Sequence, residues 1–150
     1  MRIAIIDGMG GGLGAQIAAR VAPALRQGDE LLALGTNAIA TAAMLKAGAT
    51  SGATGENAIL LNAARADVIL GPIGAAIPHS LMGEITPAMA CAVALSPARK
   101  LLVPTAQSQG HFELAGVESR PLASALDDMA RRVRELLAGR PGAAPEGAPP

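Results

Sequence analysis

The chain has 150 residues with balanced formal charge, and although 51% of it is hydrophobic, Phe112 is its one aromatic residue. That length suits a single domain with a core of its own. The lack of aromatic platforms and of a basic footprint excludes the usual ways of holding nucleic acid.

Cys91 is the only cysteine, so neither an intramolecular disulfide nor a cysteine-rich zinc site can form. Met1–Asp7 is too short and too soon interrupted to read as a signal peptide. No apolar run approaches the roughly 20 residues that span a bilayer. The expectation is a soluble cytoplasmic protein with no membrane partner.

Ile3 to Ile6 is a continuous apolar run, as in a parallel strand covered on both faces. Glycines follow at once, and then Leu13, Ile17, Val21 and Leu25 recur at helical spacing. Gly28-Asp29 makes a turn before a second strand, Glu30 to Leu34. Asn37 is placed to cap a helix whose apolar positions are Ile39, Ala42, Ala43 and Leu45, with Gly48 closing its end. Gly48 to Gly55 reads as a loop with room for one short strand, followed by a helix from Glu56 to Ala64. Asp67 to Leu70 is the next buried strand, ended by Gly71-Pro72-Ile73-Gly74.

A long connection, Ala75 to Glu84, leads to Thr86 as N-cap and Pro87 at the first position of a helix through Met89 and Val93. Lys100 to Val103 forms a strand stopped by Pro104, and His111 to Val117 is expected as a last strand. Pro121 opens the final helix, with Leu122, Leu126, Met129, Val133 and Leu136 or Leu137 as its apolar stripe. The domain thus spans 1–138, and the Gly, Ala and Pro tail 139–150 is expected to be disordered. Strands alternating with helices predict an α/β fold, a single Rossmann-like three-layer domain with a mainly parallel sheet. Its ligand crevice should lie beyond the carboxyl ends of the strands.

The turn Asp7-Gly8-Met9-Gly10-Gly11-Gly12-Leu13-Gly14 is the strongest functional signal. Gly8 permits a tight exit from the strand, Gly10, Gly11 and Gly12 let backbone N–H groups approach an anion, and Gly14 allows close helix contact. The helix start adds unpaired donors and partial positive charge for a phosphate. The spacing is not the dinucleotide fingerprint G-x-G-x-x-G. From Gly8, Gly12 and Gly14 it resembles the turn of short-chain dehydrogenases, whose catalytic tyrosine is absent here. No Gly-Lys-Ser/Thr follows, so it is not a P-loop either. The plain alternative is a turn that only seats helix on sheet.

Where an acid would grip an NAD ribose, at the end of the second strand, the chain has Gly35-Thr36-Asn37. Their hydroxyl and amide suit a sugar or phosphate, although Asn37 also reads as a helix cap. Asp7 is expected to cap the turn unless it accepts from a ligand hydroxyl or binds a metal. Gly71, Pro72 and Gly74 should line the crevice through their backbone.

Glu56, His79 and Glu84 are the acid–base candidates, set against a helix-dipole role for Glu56 and a solvated loop for the others. Ser80 shares that loop. Cys91 reads as a small buried thiol. Two distant histidines and no clustered acids predict no dedicated metal site.

Several strings are specific enough to resemble a known family. They are Ile6–Gly12, Ala33–Ala38, Ala43–Ala49, Gly52–Ile59, Gly71–Gly74 and Gly83–Pro87. With these the sequence resembles the bacterial domain-of-unknown-function family 3842. The resemblance implies a small Rossmann-like cytoplasmic protein without an assigned activity.

Most of these segments fall at predicted strand ends, which a doubly wound sheet gathers along one edge. The leading expectation is a module binding a nucleotide or other phosphorylated small molecule, NAD(P) among the candidates, with the cofactor unnamed. A flavin is disfavoured for want of aromatic surface. The second is a small enzyme in the same crevice that completes its site as a homo-oligomer, and the third is a structural protein without a ligand.

Overall fold

The computed structural model describes residues 1–105 and 114–139. Five parallel strands, β1 (Arg2–Asp7), β2 (Glu30–Gly35), β3 (Ser51–Thr54), β4 (Val68–Pro72) and β5 (Arg99–Val103), form one sheet in the order β3-β2-β1-β4-β5. The helices are α1 (Gly12–Val21), α2 (Ala38–Lys46), α3 (Glu56–Ala63), α4 (Pro87–Leu95) and α5 (Leu122–Ala138). This is the Rossmann-like α/β architecture that the alternating pattern predicts.

β1 is apolar at every inner position because both of its faces are covered. Ile3 and Ile5 meet Leu31, Ala33, Val68 and Leu70 on one face, under α1, α2 and α5. Ala4 and Ile6 meet Leu32, Leu34 and Ile69 on the other, under α3 and α4. Each fully buried aliphatic side chain contributes about 1.5–3 kcal/mol. The two cores, built from the two parities of each strand, fix the register Ile5↔Ala33 and Ile5↔Leu70.

Some helix faces differ from the sequence pattern. On α2 the buried residues are Ala40, Thr41 and Met44, while Ile39 is 71% exposed. The reason is steric: Ala40 and Met44 lie where Cβ atoms on Gly11 and Gly14 would collide with them. Only small or flexible side chains let α2 come so close to the glycine turn, so Ile39 and Leu45 turn to solvent. Cys91 is exposed rather than buried, since α4 presents Met89, Ala90 and Val93 inward. Leu122 is also exposed, one turn before the buried stripe of α5 begins at Leu126.

The short strand allowed for after Gly48 is β3, an edge strand paired with β2. The strand expected at His111–Val117 is not formed where it is described: Leu114–Val117 is a turn, the N–H of Val117 donating to the Leu114 carbonyl at 3.2 Å. Residues 111–113 and the tail from 140 onward lie outside the described residues. No described helix is long and apolar enough to cross a membrane.

β1 stands where the chain reverses direction across the sheet: it leads outward to β2 and β3, and α3 then carries the chain back to β4 on the other side. In open α/β sheets this point, beyond the carboxyl ends of the strands, is where a ligand crevice lies. Gly71, buried in β4, sets how closely β1 and β4 approach there. A Cβ there would sit 2.4 Å from the Ile6 carbonyl oxygen, against backbone that cannot yield. Gly71→Ala should cost at least about 1–3 kcal/mol, the range for overpacking. A thermal melt showing an unchanged Tm would contradict the close β1–β4 contact.

Candidate functional site

Asp7 ends β1 and turns back into its own loop. Its carboxylate accepts from the Gly8 N–H at 2.9 Å and from the Gly14 N–H at 2.6 Å, bracing the turn from inside. Burial pushes the Asp7 carboxyl above its ordinary value, the Gly14 and Gly8 N–H groups pull it partly back, and the charge of Glu84 adds to the rise. The capping role expected of Asp7 is the one it has.

Glu84 reaches the same turn from the far end of the β4–α4 connection. One of its oxygens, Oε2, accepts from the Met9 N–H at 2.8 Å, from the Asn37 amide at 3.0 Å and from the Thr36 hydroxyl. Partial burial raises the Glu84 pKa, but the Thr36, Met9 and Asn37 donors outweigh it and hold the carboxyl below its usual range. The other oxygen, Oε1, has no partner among the described residues.

The connection is shaped to deliver this carboxylate. His79, Leu81 and Met82 all have left-handed backbones, with φ of 63°, 52° and 57°. Such conformations are costly outside glycine, and persist where surrounding contacts enforce them. Here Leu81 is buried in the α3–α4 core, Ser80 donates its hydroxyl to the Gly74 carbonyl, and the His79 N–H donates to Ile85 at 2.7 Å.

Asn37 does two things. Its Oδ1 caps α2 by accepting from the Ala40 N–H at 2.9 Å, and its amide nitrogen donates to the Met9 carbonyl at 2.9 Å as well as to Glu84. Capping is one of the two roles the sequence offered for Asn37, and holding Glu84 is a further one that the fold adds.

The glycines separate by cause. Gly8 has no room for a Cβ because Glu84 Oε2 and the Thr36 hydroxyl would each lie 2.5 Å from it. Gly11 adopts φ 71° against Ala40, and Gly14 is filled by Met44 and Asp7. Gly35 is closed by Thr41, and Gly74 faces Ser80. Pro72 is buried within β4. Packing thus accounts for Gly35, Gly71, Pro72 and Gly74. Gly10 and Gly12 differ: a Cβ on either meets nothing within 4 Å, and neither has a positive φ. Their N–H groups and that of Leu13 have no partner among the described residues.

Of the three acid–base candidates, the structure brings Glu84 to the turn. Glu56 instead accepts from the hydroxyl of Thr86, the N-cap of α4. His79 is exposed, and no contact joins it to either acid among the described residues. No group of three metal-ligating side chains occurs among the described residues. Between Arg26 and Arg99 the only lysine or arginine residues are Lys46 and Arg65. Both stand where a helix ends and the next strand begins, at the edge opposite the crevice.

The family model of a domain of unknown function, DUF3842, matches residues 2–138. The chain belongs to the DUF3842 family. Among solved structures it is similar to a dodecameric FMN-dependent UbiX-like decarboxylase from Escherichia coli O157:H7, with 11% identity and a TM-score of 0.53. That alignment covers 99% of this DUF3842 chain and 100% of the other, and at such low identity it speaks to the fold. No curated protein matches the sequence.

Two measurements test the geometry of this DUF3842 site. Asn37→Asp keeps an acceptor for the Ala40 N–H but sets a second carboxylate against Glu84. It should lower the melting temperature at neutral pH and recover part of the loss in acid, where the pair is no longer doubly charged. Because the folded Glu84 pKa is depressed, its stabilisation is complete above the unfolded value and fades as pH falls through the folded one. The difference in Tm between wild type and Glu84→Gln should therefore shrink as pH is lowered through that range. Asp7, raised by burial, contributes in the opposite sense, and a pH-independent difference would mean that Glu84 is not held as described.

Proposed function

We propose that this DUF3842 protein binds a small phosphorylated molecule of the nucleotide type, its anionic group resting on the backbone N–H groups of Gly10, Gly12 and Leu13. The observation that carries this reading is the difference among the glycines. Gly8, Gly11 and Gly14 are explained by what a Cβ would strike, whereas Gly10 and Gly12 leave open space over donors without a partner among the described residues, at the start of a ten-residue helix. On this reading Asp7 keeps the turn rigid. Thr36 and Asn37 continue the polar surface along the end of β2.

The decarboxylase with the similar fold is FMN-dependent, which makes FMN a member of the ligand panel. The phosphate end of such a molecule suits the turn. For its ring the described residues provide aliphatic rather than aromatic surface. Self-association belongs to the same proposal, since the exposed Ile39 and Leu95 are apolar surface that a second copy would cover.

Thermal shift measurements against NAD, NADP, ATP, FMN, coenzyme A and inorganic phosphate test the reading, with stabilisation by at least one at millimolar concentration expected. The double variant Gly10→Ala, Gly12→Ala should melt at or slightly above the wild-type temperature, since removing glycine flexibility stabilises by about 0.4–1 kcal/mol per site where the conformation allows. The same variant should lose the ligand shift. A wild type unmoved by every compound, or a shift retained in the double variant, would remove the ligand from this turn.

A further inference from the structure

The Glu84 carboxylate occupies a place that, in nucleotide-binding sheets of this topology, belongs to an acid at the end of the second strand. That acid accepts hydrogen bonds from the ribose hydroxyls. In this chain the end of β2 carries Gly35, Thr36 and Asn37, which have no carboxylate. The structure supplies one from 48 residues away: Glu84 lies on the Thr36 hydroxyl and the Asn37 amide, one residue from the open N–H of Gly10.

We infer that Glu84 is the ribose-binding residue of this site, its free Oε1 accepting from the vicinal hydroxyls of a nucleotide whose phosphate lies over Gly10–Leu13. The inference rests on the nucleotide reading above and names what that reading leaves open, the part of the ligand that is recognised next to the phosphate.

Three features of the geometry fit this role. The donors converge on one oxygen only, so the carboxylate is oriented while Oε1 keeps its lone pairs for hydroxyl donors. Glu84 is half-buried, and its Oε2 is fixed by segments of two other loops. The same donors lower its pKa and so favour its charged form. An ionised acceptor so placed favours free hydroxyls and repels a phosphate at the same position. The ligand class that follows is a ribonucleotide with both ribose hydroxyls free, in preference to a 2′-phosphorylated or 2′-deoxy form.

Isothermal titration of the full chain with two matched pairs, NAD against NADP and ATP against 2′-deoxyATP, tests this. Wild type should prefer the free-hydroxyl member of each pair by about tenfold or more, the loss expected when a hydrogen bond to a charged group is removed. Glu84→Gln should bring the NAD and NADP affinities close together while still binding nucleotides. Thr36→Val, which removes one of the donors that aim the carboxylate, should weaken the same preference and serves if Glu84→Gln does not fold. Nucleotide binding without discrimination in wild type, or with discrimination intact in both variants, would overturn the role of Glu84 and leave the phosphate site standing. Failure of every nucleotide to bind wild type would overturn both.

Discussion

A single carboxylate oxygen, Glu84 Oε2, holds together three loops that the sheet leaves at its carboxyl edge. The loop after β1 gives it the Met9 N–H, the loop after β2 gives the Thr36 hydroxyl and the Asn37 amide, and the connection after β4 brings the carboxylate itself. Gly8 must lack a side chain for that oxygen to arrive. The left-handed run at His79, Leu81 and Met82 turns the connection toward it. Together with the Thr86 hydroxyl donating to Glu56, this contact links the two halves of the sheet at the point where they diverge.

The glycine turn is consequently of mixed purpose. Asp7 from below and Glu84 from beside it already take the N–H groups of Gly8, Met9 and Gly14. The Gly11 N–H donates to the Gly8 carbonyl at 2.9 Å, so the N–H groups left without a partner among the described residues are those of Gly10, Gly12 and Leu13. A dense glycine run therefore need not signal one large phosphate cradle. Here part of it admits the protein's own carboxylate, and part leaves backbone open to the outside.

The sheet, its five strands and most helix starts were legible because they depend on local pattern: apolar runs of strand length, glycine after the strands, Asn37 and Thr86 before the helices. The inward turn of Asp7 was legible for the same reason. The Glu84 loop was expected at the same sheet edge, but not its bond to Met9, because that partner is 75 residues distant and nothing local marks which loop will fold over which. The face of α2 was misread since Ile39 looks like core until the nearness of Gly11 and Gly14 makes Ala40 and Met44 the residues that fit. Cys91 failed similarly, because an alanine-rich helix has little hydrophobic asymmetry to tell inside from outside.

The placement of the basic residues has a kinetic consequence. Lys46 and Arg65 stand at the far edge, and Asp7, Glu56 and Glu84 at the near one, so the charged side chains closest to the glycine turn are acidic. For an anion there, attraction would come from backbone dipoles acting over a few ångströms. On the proposed reading, an anionic ligand would approach this edge against those carboxylates, and added salt would speed its arrival by screening them.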